Sequence, residues 1–188
     1  MTIPRILKTD PGGIPVGWIH WQDAACYYVK GHVLWEVGDE PIVLRGGRSS
    51  NGDLHTLDVA PIIAVPERGA AGLFKVTPPL TRRELYHRDG GLCLYCNTRI
   101  KLVEMEFEHV VPRCQGGQDR WDNIVSACHH CNHIKGSRTP EQAGMPLLAL
   151  PYVPNRAEWL ILANRHILAD QQAFLEAMAP AQRRSAAN

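Results

Sequence analysis

Hydrophobic and polar positions along the chain fall into short runs separated by proline and glycine. Apolar residues from Ile3 to Leu7 predict a strand stopped by Pro11, Gly12 and Gly13, and the run from Trp21 to Lys30 predicts a helix ending at Gly31. Val33 to Val37 and Leu57 to Val65 read as short strands, with a Gly-rich and Ser-rich loop from Gly46 to Asp53 between them. Further on, Thr81 offers a helix N-cap with Glu84 placed to complete a capping box, and Gly90 and Gly91 should stop that helix. From Asn155 to Met178 the spacing of Trp159, Leu160, Leu162, Ile167, Phe174 and Leu175 predicts one mostly amphipathic helix. Its apolar stripe reads as core, or as a docking face for a second chain. Three parts follow: residues 1–80, a mixed strand and helix region of unknown role; residues 81–146; and a C-terminal helical segment, residues 147–188.

Composition narrows the class. With 188 residues, 45% hydrophobic and 21% charged, the chain can bury one modest core or two small ones, which argues against disorder. No apolar run approaches the ~18 to 20 residues of a membrane span, and the opening MTIPRILKTD lacks the apolar stretch of a secretion signal, so the expectation is a cytoplasmic protein with no membrane partner. A formal net charge of +1 is a weak indication of nucleic-acid binding, whose nonspecific affinity comes from Lys and Arg displacing counterions. Lys plus Arg against Asp plus Glu runs 7 to 8 over residues 1–80, 9 to 7 over residues 81–138, and 4 to 4 thereafter. The slight basic excess sits in the middle.

The same middle segment holds the chemistry. Of six cysteines, four form two Cys-x-x-Cys pairs, CLYC from Cys93 and CHHC from Cys128. That spacing lets a tight turn aim two sulfurs at one tetrahedral ion, and two pairs suit a structural zinc (Zn2+) held by Cys93, Cys96, Cys128 and Cys131. A redox dithiol would need only one pair. Cys26 and Cys114 have no thiol or histidine at chelating spacing and are expected to be small buried apolar residues. The 31 residues from Asn97 to Ala127 exceed the ~15 to 20 of a simple zinc ribbon, so something is inserted between the pairs. Four thiolates saturate a tetrahedral ion, and catalysis would need a second site.

Within and beyond the insertion run FEHVVPRCQGG (Phe107 to Gly117), WDNIVSAC (Trp121 to Cys128) and CNHIKG (Cys131 to Gly136). In this order, with both cysteine pairs, they resemble the HNH nucleases over about Thr81 to Met145. The resemblance implies an α+β fold: a ββα-metal core stapled by the four-cysteine zinc site, beside the small mixed α/β N-terminal region and the C-terminal helix. Phe107, Val110 and Val111 suit its first strand, Ile124 and Val125 its second, and His129 to Lys135 a short helix ended by Gly136.

It also implies roles. His109 matches the general base, and an imidazole with a pKa near ~6.5 can accept a proton from water at cytoplasmic pH. Glu108 and Asn132 match the ligands of a catalytic divalent ion, Mg2+ or Mn2+, and offer the hard oxygens it prefers. Asn123 matches the middle asparagine, whose carbonyl is expected to bond the second imidazole nitrogen and fix its tautomer. Arg113 and Lys135 are candidates for phosphate contacts. Many members have Asp where Glu108 stands and a third histidine where Asn132 stands, and His133 would replace Asn132 as ligand if the helix were phased differently.

The reaction implied is metal-assisted hydrolysis of a DNA phosphodiester leaving 5′ phosphates, with RNA left open as a substrate. One such site nicks one strand, and a double-strand break would need a homodimer or successive cuts. The rival readings are a zinc-stabilised nucleic-acid-binding module that has lost its chemistry, and a partner-docking protein built on the zinc knuckles.

Overall fold

The computed structural model describes residues 3–67, 70–73, 75–164 and 166–180. The chain divides into two compact units, one made of residues 1–76 together with 155–188, the other Thr77–Pro154.

The N-terminal stretch supplies β1 (Ile6–Thr9), β2 (Pro15–Ile19), α1 (Trp21–Val29), β3 (Trp35–Val37), β4 (Ile42–Arg48), β5 (Leu54–Val59), β6 (Ile62–Ala64) and α2 (Ala70–Leu73). β1 pairs antiparallel with β2 and parallel with β6, and β6 pairs antiparallel with β3, giving the order β2-β1-β6-β3. The expected α1 is present, closed by Gly31 at a φ of +66°. The run from Leu57 to Val65 is not one strand. It breaks around Pro61, which has no N–H to extend a ladder, so β5 pairs with β4 in a separate hairpin while β6 enters the four-stranded sheet. β4 itself, and β2, carry too few regularly alternating apolar residues to be legible as strands.

The second unit opens with α3 (Arg82–Arg88), begun at Thr81 and followed by Gly90 and Gly91, both at positive φ. A Cβ on Gly91 would stand 2.7 Å from Tyr86 Oη. The first cysteine pair follows directly. Then come β7 (Glu106–His109), a 3₁₀ turn at Arg113–Gln115, β8 (Ile124–Ala127), α4 (His129–Lys135) and α5 (Pro140–Ala143). β7 and β8 form an antiparallel pair with Glu108 opposite Val125 and His109 opposite Ile124. The mixed α and β architecture and the two strands leading into α4 are those expected, except that Val110 and Val111 lie beyond the first strand.

A buried ion pair ties these pieces together. Arg88 Nε donates to Asp89 Oδ1 at 2.7 Å, its side chain only 1% exposed and that of Asp89 4%. The same guanidinium donates to the carbonyls of Trp121, Tyr152 and Ile124, and Asp89 accepts from the Ser126 N–H at 2.7 Å. An isolated buried charge would be strongly unfavourable, and this pair directs its hydrogen-bonding groups to the backbone of β8 and the loops beside it.

The chain ends in α6 (Arg156–Ala163) and α7 (Ala169–Glu176). The single helix expected from Asn155 to Met178 is interrupted: Asn164 is extended (φ −120°, ψ 137°) and its side chain accepts the His166 N–H, a local bond that competes with helix continuation. Nor do these helices form a third part. Leu160 and Leu175 pack with Leu7 and Ile62 on one face of the four-stranded sheet, while Ile6 and Ile63 face the other way into a cluster with Ala24, Leu44 and Val59. Buried Gln171 donates to the carbonyls of Arg5 and Pro61, both at 2.8 Å. The stripe predicted from spacing is therefore core.

Candidate active site and metal centre

The CLYC turn is set by Asn97, at a φ of +60°, whose N–H reaches the Cys93 carbonyl at 2.9 Å. The CHHC pair sits at the start of α4, where Cys128 is the N-cap and its sulfur accepts the Cys131 N–H. One ligand atom from each of Cys93, Cys96, Cys128 and Cys131 lies within 4.8 Å of every other. Burial pushes the thiols of Cys93 and Cys131 up, whereas the Cys96 thiol, 3.2 Å from the Thr98 hydroxyl, is drawn down to about 6, chiefly by that hydroxyl. Buried thiols crowded together resist ionisation until a cation joins them, and a bound metal deprotonates them outright. The donor set and spacing fit a closed tetrahedral site for a soft or borderline ion such as zinc.

The second group surrounds a cavity of about 260 Å³ whose lining includes Glu108, His109, Arg113, Cys114, Asn132 and Lys135. β7 delivers Glu108 and His109, and α4 delivers Asn132 and Lys135. Lys135 is buried completely and forms an ion pair with Glu108 Oε1, and it also donates to the His109 carbonyl at 2.8 Å. Burial pushes the Glu108 carboxyl above its usual range, against the pull of the Lys135 ammonium. The side chain of Asn132 makes no hydrogen bond among the described residues, so its amide oxygen is free as a donor atom on the cavity. His133 is exposed and stacks on His129, with ring centroids 6.3 Å apart, and does not line the cavity. A hard divalent cation would find one carboxylate and one amide oxygen here, a sparse set of the kind Mg2+ accepts because it retains water.

Several expectations are corrected. Lys135, a candidate for phosphate contact, is inaccessible and serves Glu108 and β7 instead. Asn123 does not bond the imidazole: its Oδ1 accepts the Val111 N–H at 2.8 Å, and its Nδ2 donates to the carbonyls of Val111 and Gln118. A Cβ at Gly117 would stand 1.7 Å from the Val111 carbonyl oxygen, so the second glycine of the GG pair is needed for the loop to close this tightly. Cys26 and Cys114 are exposed, not buried. Arg113 is exposed as expected of a phosphate contact, but it is engaged by an acid on the same loop.

That acid, Asp119, was missed by sequence reasoning. Its Oδ1 lies 2.6 Å from His109 Nε2, and Arg113 Nη2 donates to both of its carboxylate oxygens, at 2.9 and 2.6 Å. Bonds from His109 and Arg113 hold the Asp119 carboxyl below its usual range. The signal available in sequence was an acid directly after the GGQ turn, between the histidine and the asparagine of the motif.

Residues 93–148, which hold the β7, β8 and α4 segments and the four-cysteine cluster, match the family model described as HNH endonuclease. Within the chain, 59 residues are 37% identical to the CRISPR-associated endonuclease Cas9 of Corynebacterium diphtheriae, and 75 residues are 32% identical to the CRISPR-associated endonuclease Cas9 of Actinomyces naeslundii. These matches cover 31% and 39% of this chain but only 5% and 7% of the relatives. None of the described helices is long and apolar enough to cross a membrane.

Proposed function

We propose that the chain is a metal-dependent endonuclease that hydrolyses DNA phosphodiester bonds, with the zinc site as its structural staple. The observation that carries this reading is the convergence of Glu108, His109 and Asn132 on one cavity beside the four-cysteine cluster. His109 acts as general base, taking a proton from the water that attacks phosphorus. Glu108 and Asn132 hold the divalent ion, and Lys135 keeps the Glu108 carboxylate charged and in place despite its burial. When bound, that ion supplies Lewis-acid stabilisation of the charge on the phosphate and on the departing 3′ oxygen. Arg113 lies on the rim, where a guanidinium can meet a phosphate in place of Asp119. The endonuclease names of both relatives support cleavage, and the basic excess of the middle segment supports a nucleic-acid partner.

One observation favours the inactive binding module: the Glu108 carboxylate already has a cation, Lys135, on one oxygen. The two readings separate on supercoiled plasmid with Mg2+ or Mn2+. The nuclease reading expects nicked circles from the wild type and at least a ~100-fold lower rate from His109→Ala, in line with the loss of a general base. Plasmid binding without any nicking by the wild type would support the module instead.

A further inference from the structure

Asp119 stands outside the roles assigned above, yet it makes the shortest polar contact to the imidazole at the centre of the site. It reaches His109 from a loop whose path is fixed elsewhere. Gly117 lies against the Val111 backbone, and Asn123 grips Val111 through both its N–H and its carbonyl while also holding the Gln118 carbonyl. Residue 119 is the next in the chain, so the asparagine of the motif fixes the peptide immediately before the acid.

The contact restricts the proton on the ring. An ionised carboxylate has only acceptors, so a 2.6 Å approach to a neutral imidazole nitrogen requires the hydrogen to be on that nitrogen. Arg113 Nε competes from 3.2 Å and, if it were the true partner, would require the opposite tautomer, with Nε2 as acceptor. The shorter contact is the one to the carboxylate, and Arg113 already commits its Nη2 to Asp119 and places Nε within 3.2 Å of Asp119 Oδ1 as well. Arg113 therefore aims the carboxylate, and the carboxylate aims the ring.

We propose that Asp119 is a positioning residue that holds His109 in the tautomer with hydrogen on Nε2, leaving the proton-accepting lone pair on Nδ1. The proposal rests on the nuclease reading for its catalytic consequence, but the placement of the proton does not. Asn123 then acts on the imidazole at one remove, through the loop that presents Asp119. A side chain 60% exposed leaves no cavity when altered, so the fold should tolerate its replacement.

The test uses the full zinc-loaded chain. In Asp119→Asn the amide can turn its NH2 toward the ring and favour the wrong tautomer, and Asp119→Ala removes the acceptor. Both should lower kcat for plasmid nicking roughly 10- to 100-fold, as loss of a partner that orients a functional histidine commonly does, with KM for DNA within about twofold of wild type. Asp119→Glu should recover part of the loss. Independently of cleavage, nitrogen-15 NMR of the histidine rings, followed to a pH at which the His109 signals no longer change, should show His109 protonated at Nε2 in the wild type and lose that bias in Asp119→Asn. A wild-type proton on Nδ1 would overturn the proposal. So would a kcat within twofold of wild type in Asp119→Asn, or an effect confined to KM, which would make Asp119 a charge felt only by the DNA. If the wild type nicks nothing, the nuclease reading fails, and the ring spectrum alone decides where Asp119 puts the proton.

Discussion

Lys135 does structural work on the wall of the candidate site. Its ammonium, removed from water, is stabilised by the Glu108 carboxylate and the His109 carbonyl, so α4 is bolted to the end of β7 at Glu108 and His109. Taking away one member of a buried pair leaves the other charge uncompensated. Lys135→Met is therefore expected to cost about 3–5 kcal/mol in equilibrium urea unfolding, while a surface lysine engaged only with phosphate would cost almost nothing. A loss below about 1 kcal/mol would show that the pair is not closed in solution. This pairing could not be read from the chain. Lys135 precedes a helix-ending glycine, where lysine is common for electrostatic reasons, and only the fold brings it to a residue 27 positions earlier. The order of Glu108, His109 and Asn132 along the chain is enough to suggest that they share one cavity, as they do, but it says nothing of their partners. The bond expected from Asn123 to the imidazole is absent, since its partners are backbone groups of Val111 and Gln118 that no residue pattern marks.

At the scale of elements, legibility followed the strength of the local signal. α1, α3 and α4 each end at or just before a glycine with positive φ and were placed well. The end of β5 and the whole of β6 read as one strand because Leu57, Val59, Ala60 and Ile62 to Val65 make a nearly continuous apolar run, and Pro61, which cannot donate to a ladder, marks where the chain passes from one partner strand to another. The β7–β8 pair is short, four residues on each side, and two strands alone are marginal in water. The Arg88–Asp89 pair supplements its stability, and a metal held by the four-cysteine cluster after β8 would add to it. Stripping the metal with a chelator should accordingly unfold this unit. Calorimetry before and after chelation should show loss of one transition, with metal analysis giving one zinc per chain beforehand; an unchanged thermogram would contradict a stapling role for the cluster.

The chain forms two compact units: the clusters on the two faces of the four-stranded sheet both belong to the first, Leu85, Met105, Trp121, Ile124 and Val125 are buried in the second, and the segment that matches the HNH endonuclease model lies wholly within Thr77–Pro154. The sequence suggested three parts because amphipathic spacing shows that a helix has a buried face without showing what covers it. Leu160 and Leu175 find their partners in Leu7 and Ile62, at the other end of the chain. With a net charge of only +1, the chain has no large field to gather a polyanion, so the DNA recognition proposed above would depend on how groups converge locally. That convergence is the claim on which the rest depends: β7 and α4 bring a carboxylate, an amide and an imidazole to a single hard cation. Crystals of the His109→Ala protein soaked in Mn2+, with anomalous data collected at the manganese edge, measure it most directly. A peak coordinated by Glu108 and Asn132 in the cavity between β7 and α4 is the predicted result, and manganese bound only elsewhere would contradict it.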